Sequence, residues 1–237
     1  MDSSQAVVAI DGPSGSGKSS TSRGVARALG LEYLDTGAMY RAMAWYMLRQ
    51  GVDVTDPAAV AARAGDPTLT STTDPDAPTI AVDGVDVSQP IRGEAVTAAV
   101  SPVAAVPEVR ARLVVLQRAA VAEALARGRG IVVEGRDIGT VVLPDATAKI
   151  YLTADAAARA ARRALEDAGR SGGSAPASEH IEATAASLAE RDRIDSGRAV
   201  SPLTMADDAV HVDGTYLTLQ EVIDEVVRTV RAAAVAP

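Results

Sequence analysis

The segment Gly12-Pro13-Ser14-Gly15-Ser16-Gly17-Lys18-Ser19 narrows the folds open to this chain more than any other. It satisfies G-x-x-x-x-G-K-[ST] at every fixed position, a match expected by chance in roughly one in a hundred chains of this length. The glycines let the loop curl so that successive backbone N–H groups point inward at a phosphate, and the helix that follows aims its positive end at the same spot. An apolar run, Val7-Val8-Ala9-Ile10, precedes the loop, and a helical pattern opens at about Lys18. Strand, phosphate loop and helix in that order imply a nucleoside triphosphate ligand. Gly12, Pro13, Ser14, Gly15, Ser16 and Gly17 would surround its phosphates. Lys18 would reach the β- and γ-phosphates, and the Ser19 hydroxyl would ligate Mg²⁺.

Further apolar runs set the fold class. Leu31–Leu34, Ile131–Glu134, Ala148–Leu152 and Ala209–Val212 read, like Val7–Ile10, as short buried strands. Helical patterns fall between them, the arrangement of an α/β fold on a five-stranded parallel sheet. The first helix is expected to turn Val25, Ala28 and Leu29 inward and to stop at Gly30. A helix over Gly37–Gln50 places Met39, Met43 and Met47 one turn apart beside Tyr46, a core stripe. Residues 66–90 change character, and Thr79–Val82, Asp83-Gly84 and Val85–Ser88 read as a β-hairpin with a two-residue turn. Helices are further expected over Pro107–Arg127, with Val109, Leu113, Leu116 and Ala120 on one face, over Asp155–Ala168, and over Glu179–Arg193. Between the last two lies a Gly/Ser-rich loop, 170–178. The final helix starts at Thr218-Leu219-Gln220-Glu221, a capping box.

Composition excludes several classes. The 237 residues are 47% hydrophobic and 23% charged, a balance that supports a sizeable core, and no apolar run approaches the ~18 residues of a membrane span. The amino terminus lacks a basic stretch followed by an apolar one, so the expected location is the cytoplasm. With no cysteine there is no disulfide, thiolate metal site or thiol nucleophile. A net charge of −8 argues against a nucleic-acid partner. The chain has no asparagine, which removes the N-K-x-D guanine signature, and no D-x-x-G follows the phosphate loop, so a regulatory GTPase is out.

Arginine placement separates a transferase from a switch. Lys18 and Lys149 are the only lysines, and every other basic side chain is arginine, the type suited to bidentate phosphate contact. Arg41 lies one turn past the strand-to-helix junction at Asp35-Thr36-Gly37, and Arg136 with Asp137 directly follows the third strand. Strand carboxyl ends share one crevice in such a sheet, so these groups are expected beside the phosphate loop. Arg159, Arg162 and Arg163 on one helix, and Arg191, Arg193 and Arg198 around the next, suit a lid that closes over reacting phosphates. Arg162 and Arg170 read better as surface ion pairs, and His180 and His211 as a surface and a strand residue.

These residues resemble the bacterial-type cytidylate kinases. The resemblance is carried by Ile10–Lys18, Leu34–Arg41, the hairpin insert ending Asp86-Val87-Ser88-Gln89-Pro90-Ile91-Arg92, Val103–Arg110, Gly135-Arg136-Asp137-Ile138-Gly139-Thr140, and Glu190–Arg198 running into Ala199-Val200-Ser201-Pro202-Leu203. It implies a P-loop kinase fold and reversible transfer from ATP·Mg²⁺ to CMP or dCMP. It implies a core over residues 1–65, 100–154 and 205–237, an acceptor-binding insert over 66–99 and a lid over 155–204. Thr36, Arg41, Ser101, Arg110, Arg136, Asp137, Asp195 and Arg198 match acceptor-holding positions. Ser101 and Asp137 would read cytosine or its ribose, and the arginines the phosphate. Lys18, Arg191 and Arg163 match catalytic positions, and Arg159 matches a residue stacking on adenine. The partners implied are small nucleotides, with no nucleic acid, no membrane, and a monomeric enzyme. Glu134 departs from the family's usual Asp before Gly-Arg-Asp, a change expected to alter Mg²⁺–water geometry. Two alternatives stay open: a P-loop kinase for UMP, AMP or a non-nucleotide acceptor, and a slowly hydrolysing nucleotide sensor or ATPase module.

Overall fold

The computed structural model describes residues 3–170, 178–198 and 201–235, the Arg170 side chain excepted. Residues 171–177 of the expected loop and Ala199-Val200 lie outside the described residues. Its main sheet is parallel throughout, in the order β2 (Glu32–Asp35), β6 (Ile131–Gly135), β1 (Val7–Asp11), β7 (Ala148–Thr153), β8 (Val210–Asp213). Val8 to Asp11 and all of β6 are buried, which is why both read as continuous apolar runs rather than as alternating ones.

Side chains still alternate across the sheet and divide the core in two. Ala9, Leu34, Ile131 and Val133 face the helices α2 (Thr36–Arg49), α4 (Glu94–Ala105) and α5 (Pro107–Ala126). Val8, Ile10, Tyr33, Val132, Ile150 and Leu152 face α1 (Lys18–Leu29) and α8 (Leu219–Val235). The stripe of Met39, Met43 and Met47 is buried on α2, as its spacing predicts. On α1, Val25 is buried but Ala28 is exposed, and Ala26 takes the inward place. The helix phase follows from its first turn: burying Lys18 and Ser22 leaves 25, 26 and 29 on the inner side and turns 28 outward. The second strand begins at Glu32, one residue later than its apolar pattern suggested.

The insert forms a second, antiparallel sheet of β3 (Leu69–Ser71), β4 (Ile80–Val82) and β5 (Val85–Asp86). Asp83 and Gly84 both have positive φ, 51° and 80°, which the tight hairpin turn requires. The insert is tied to the main sheet at its β2 edge. Tyr33 N–H donates to the Thr73 carbonyl at 2.9 Å, and the Glu32 carboxylate accepts from Thr73 Oγ1 at 2.5 Å and from Arg127 at 2.7 Å. One strand and two α-helices escaped the sequence reading: β3, α4 and α3 (Pro57–Arg63). Each is short or interrupted by turn-forming residues, and α4 carries Pro102 in its interior. The last two helices before β8 are α6 (Ala156–Arg170) and α7 (Ser178–Ser196), packed on each other. The capping box of α8 is present: Thr218 N–H donates to Glu221 at 2.8 Å, and Glu221 N–H to Thr218 Oγ1 at 3.3 Å. Among the described residues no helix is long and apolar enough to cross a membrane.

Candidate active site

The phosphate loop joins β1 to α1 at the carboxyl edge of the sheet. Gly12 has φ 149°, and a Cβ there would lie 2.0 Å from the Leu152 carbonyl oxygen, so glycine alone allows the loop to leave β1 against β7. Lys18 is 6% exposed and donates from Nζ to the Pro13 carbonyl at 2.7 Å. Burial, and then the nearby Arg136, push the Lys18 ammonium below its ordinary value, against the pull of Glu134, Asp11 and Asp192. Glu134 is pushed the other way by burial and by Asp35, and is held by Lys18, Tyr33 and the Ser19 hydroxyl. Ser19 thus stands beside Glu134 and lines a second cleft together with Asp35.

Next to the loop opens a cleft of about 500 Å³. All eight residues matched to the acceptor line it: Thr36 and Arg41 from α2, Ser101 from α4, Arg110 from α5, Arg136 and Asp137 from the end of β6, Asp195 from α7 and Arg198 just beyond. Arg191, on α7, lines it too. Chain-distant segments meet here because the carboxyl ends of β2 and β6 are neighbours in the sheet, which brings α2 beside Arg136.

The charges are paired within the walls and unpaired toward the cavity. Arg110 and Asp137 form a buried ion pair, with Arg110 5.4 Å above the Tyr40 ring. Arg136 Nε donates to Asp195 at 2.9 Å, and Arg198 pairs with the other oxygen of the same carboxylate. Arg41 is held by the Ile91 carbonyl at 3.1 Å and Thr97 Oγ1 at 3.0 Å. Burial lowers Arg41 to about 9 and Arg191 to about 10, with neighbouring arginines adding to both shifts. The Nε atoms of Arg191, Arg198 and Arg110 are buried with no partner among the described residues. Five guanidinium groups converging on a desolvated cleft, with donors to spare, make a receptor for a multiply charged anion.

Helix α7 also bridges to the phosphate loop. Asp192 accepts from Ser14 N–H at 3.0 Å and pairs with Arg159, which donates to the Ser14 carbonyl at 3.0 Å. Arg136 donates to Ser14 Oγ at 2.9 Å. Arg163 does not line the cleft; it pairs along its own helix with Asp167 at 3.0 Å and Glu166 at 3.6 Å. Arg162 reaches the Gly214 carbonyl rather than a surface carboxylate, because α6 packs close to the turn after β8. His211 Nε2 lies 2.7 Å from Thr153 Oγ1, on β8, and His180 on α7 is exposed. Three residues near the centre carried no sequence assignment: Tyr40, Asp192 and Asp11. Tyr40 and Asp192 stand directly beside Arg41 and Arg191, and that adjacency was the signal available.

The cytidylate kinase family model matches residues 8–232. The chain is 57% identical over 224 residues to a cytidylate kinase of Streptomyces avermitilis, covering 94% of this chain and 92% of that one. It is 58% identical to one from Streptomyces coelicolor, over 94% and 92% of the two chains. Against one from Nocardia farcinica it is 57% identical, over 94% and 93%. With the family model over residues 8–232 and identity of that degree over nearly the whole length, this chain belongs to the cytidylate kinase family.

Proposed function

We propose that the chain transfers the γ-phosphoryl group of ATP, as its Mg²⁺ complex, reversibly to CMP or dCMP. One observation carries the reading: the eight acceptor-matched residues, drawn from across the sequence, line a single cleft beside the phosphate loop. The names of the relatives support cytosine as the base. An acceptor phosphate is already anionic and needs no strong base to attack, in keeping with a cleft built from arginines rather than histidine. Arg41, Arg136 and Arg198 hold the acceptor phosphate, and Ser101, Asp137 and Arg110 face its base and ribose. The buried Arg110–Asp137 pair presents a fixed donor and acceptor edge, the means by which a site rejects a base of the wrong pattern. Asp195 orders Arg136 and Arg198, and Thr36, whose hydroxyl donates to the Glu134 carbonyl at 2.7 Å, completes the wall beside them.

Lys18 exchanges the Pro13 carbonyl for the β- and γ-phosphates, whose negative charge favours its protonated form. Gly12, Ser14, Gly15, Ser16 and Gly17 supply backbone donors, and Pro13, which has no N–H, shapes the loop between them. Arg191 meets the charge developing between donor and acceptor, joined by Arg163 from α6, while Arg159 lies under the adenine. Helices α6 and α7 act as the lid over 155–204, and residues 66–99 as the acceptor insert on a core of 1–65, 100–154 and 205–237. The Ser19 hydroxyl, Glu134 beside it and Asp35 in the cleft it lines are a set of hard oxygen donors that fits Mg²⁺, which binds through few protein ligands, waters and phosphates. Bound there, the ion would neutralise charge on the β- and γ-phosphates. In this proposal the enzyme acts as a monomer.

The test is ADP release from ATP·Mg²⁺ with CMP, dCMP, UMP, AMP, GMP or no acceptor. Fast turnover with CMP and dCMP alone, abolished by EDTA, is the expected result. Equal slow release in every reaction would make the protein an ATPase or sensor.

A further inference from the structure

The donor loop and the acceptor cleft are carried by different strands, and one buried side chain joins them. Asp11 closes β1 immediately before Gly12 and is 5% exposed. Its Oδ1 accepts the Ile138 N–H at 2.8 Å, and its Oδ2 accepts the Gly139 N–H at 2.7 Å. Those two amides open the single π-helical turn Ile138–Val142, which begins directly after Arg136 and Asp137. A π-turn is rare and concentrated at functional sites, and the leading N–H groups of a helical turn have no partner within it. Here one carboxylate takes both. From the other side the Lys149 stem closes on Gly139, where a Cβ would stand 3.2 Å from Lys149 Cδ. The backbone that aims Arg136 at Ser14, and Asp137 at Arg110, is thereby tied to the residue that launches the phosphate loop.

We propose that Asp11 is a positioning residue that locks the acceptor-side turn to the donor-side loop, so that attacking oxygen and γ-phosphorus are held in line. The proposal rests on the phosphoryl-transfer reading above. In-line transfer tolerates little misplacement, and an error near 1 Å costs roughly a hundredfold. Asp11→Asn keeps the volume but faces one of the two amides with an NH₂ group. It should raise the KM for CMP and lower kcat, by roughly tenfold to a hundredfold in kcat/KM. The Kd for ATP, measured calorimetrically without acceptor, should rise far less than the KM for CMP. Hydrogen exchange of the ligand-free protein should show the Ile138 and Gly139 amides exchanging faster, with the remainder of β1 unchanged. If Asp11→Asn does not fold, Asp11→Ser, a smaller side chain with one acceptor, provides the same three readings. Unchanged amide exchange, or ATP and CMP weakened to the same extent, would overturn the proposal by leaving Asp11 a mere support for the end of β1. Failure of the wild-type protein to phosphorylate CMP would instead remove the assigned function, and the exchange measurement would still decide whether the clamp exists.

Discussion

In the proposed reaction Lys18 serves the donor and the arginines around it the acceptor, and single substitutions should separate the two. Lys18→Ala removes the cation that follows the transferred phosphate while leaving the loop backbone intact. Turnover should fall by about a hundredfold or more with the far-ultraviolet spectrum unchanged; near-normal kcat would contradict a catalytic lysine. Arg41→Ala and Arg110→Ala act on the acceptor. Arg41 is anchored by hydrogen bonds to Ile91 and Thr97, so its loss should show mainly as a higher KM for CMP, by roughly ten- to a hundredfold. Arg110→Ala also strands Asp137 in a buried wall, and a buried charge without its partner costs about 3–5 kcal/mol. That variant should lose thermal stability as well as CMP affinity, which calorimetry beside kinetics would distinguish. At this scale the motif residues were legible, because backbone and charge chemistry dictate them locally. The part played by Asp192, whose partners Ser14 and Arg159 lie far off in the sequence, was not.

Among the elements, the insert depends on a contact at the open edge of the sheet. Glu32 is pushed up by burial, but Arg127 and Thr73 outweigh this and hold its carboxyl below the ordinary value of 4.5. A carboxylate depressed by folding contributes stability that is complete above the ordinary value and is lost as pH falls through the lower, folded one. Glu32→Gln should therefore melt below the wild type at pH 7, and the gap should close as pH drops beneath about 4.5. A gap independent of pH would mean that the charge on Glu32 does not hold the insert. The hairpin itself could be read from Asp83-Gly84, since only a few residues tolerate positive φ at both turn positions. Its partner β3 could not, because a three-residue strand has too few positions to show a period.

For the molecule as a whole, two cores press on one sheet from opposite faces. Met43 is fully buried in the core beneath α2, and Leu152 in the one beneath α1 and α8. Met43→Ala and Leu152→Ala should each cost about 2–5 kcal/mol in chemical denaturation. Their effects should add, since the sheet separates the sites; a large departure from additivity would show the two faces to be coupled. What the sequence determined alone was the class of fold and the donor site. Apolar strand, glycine loop and lysine-bearing helix are consecutive in the chain, so local geometry suffices to build a phosphate receptor. The acceptor cleft was decided only by the tertiary structure. Its walls are drawn from residues 36 to 198, and no local rule specifies that Arg110 should find Asp137, that Asp195 should sit between Arg136 and Arg198, or that Asp11 should reach across to the turn after β6. Those contacts exist because β6 is inserted between β2 and β1, an ordering that follows from how the whole sheet buries its two faces.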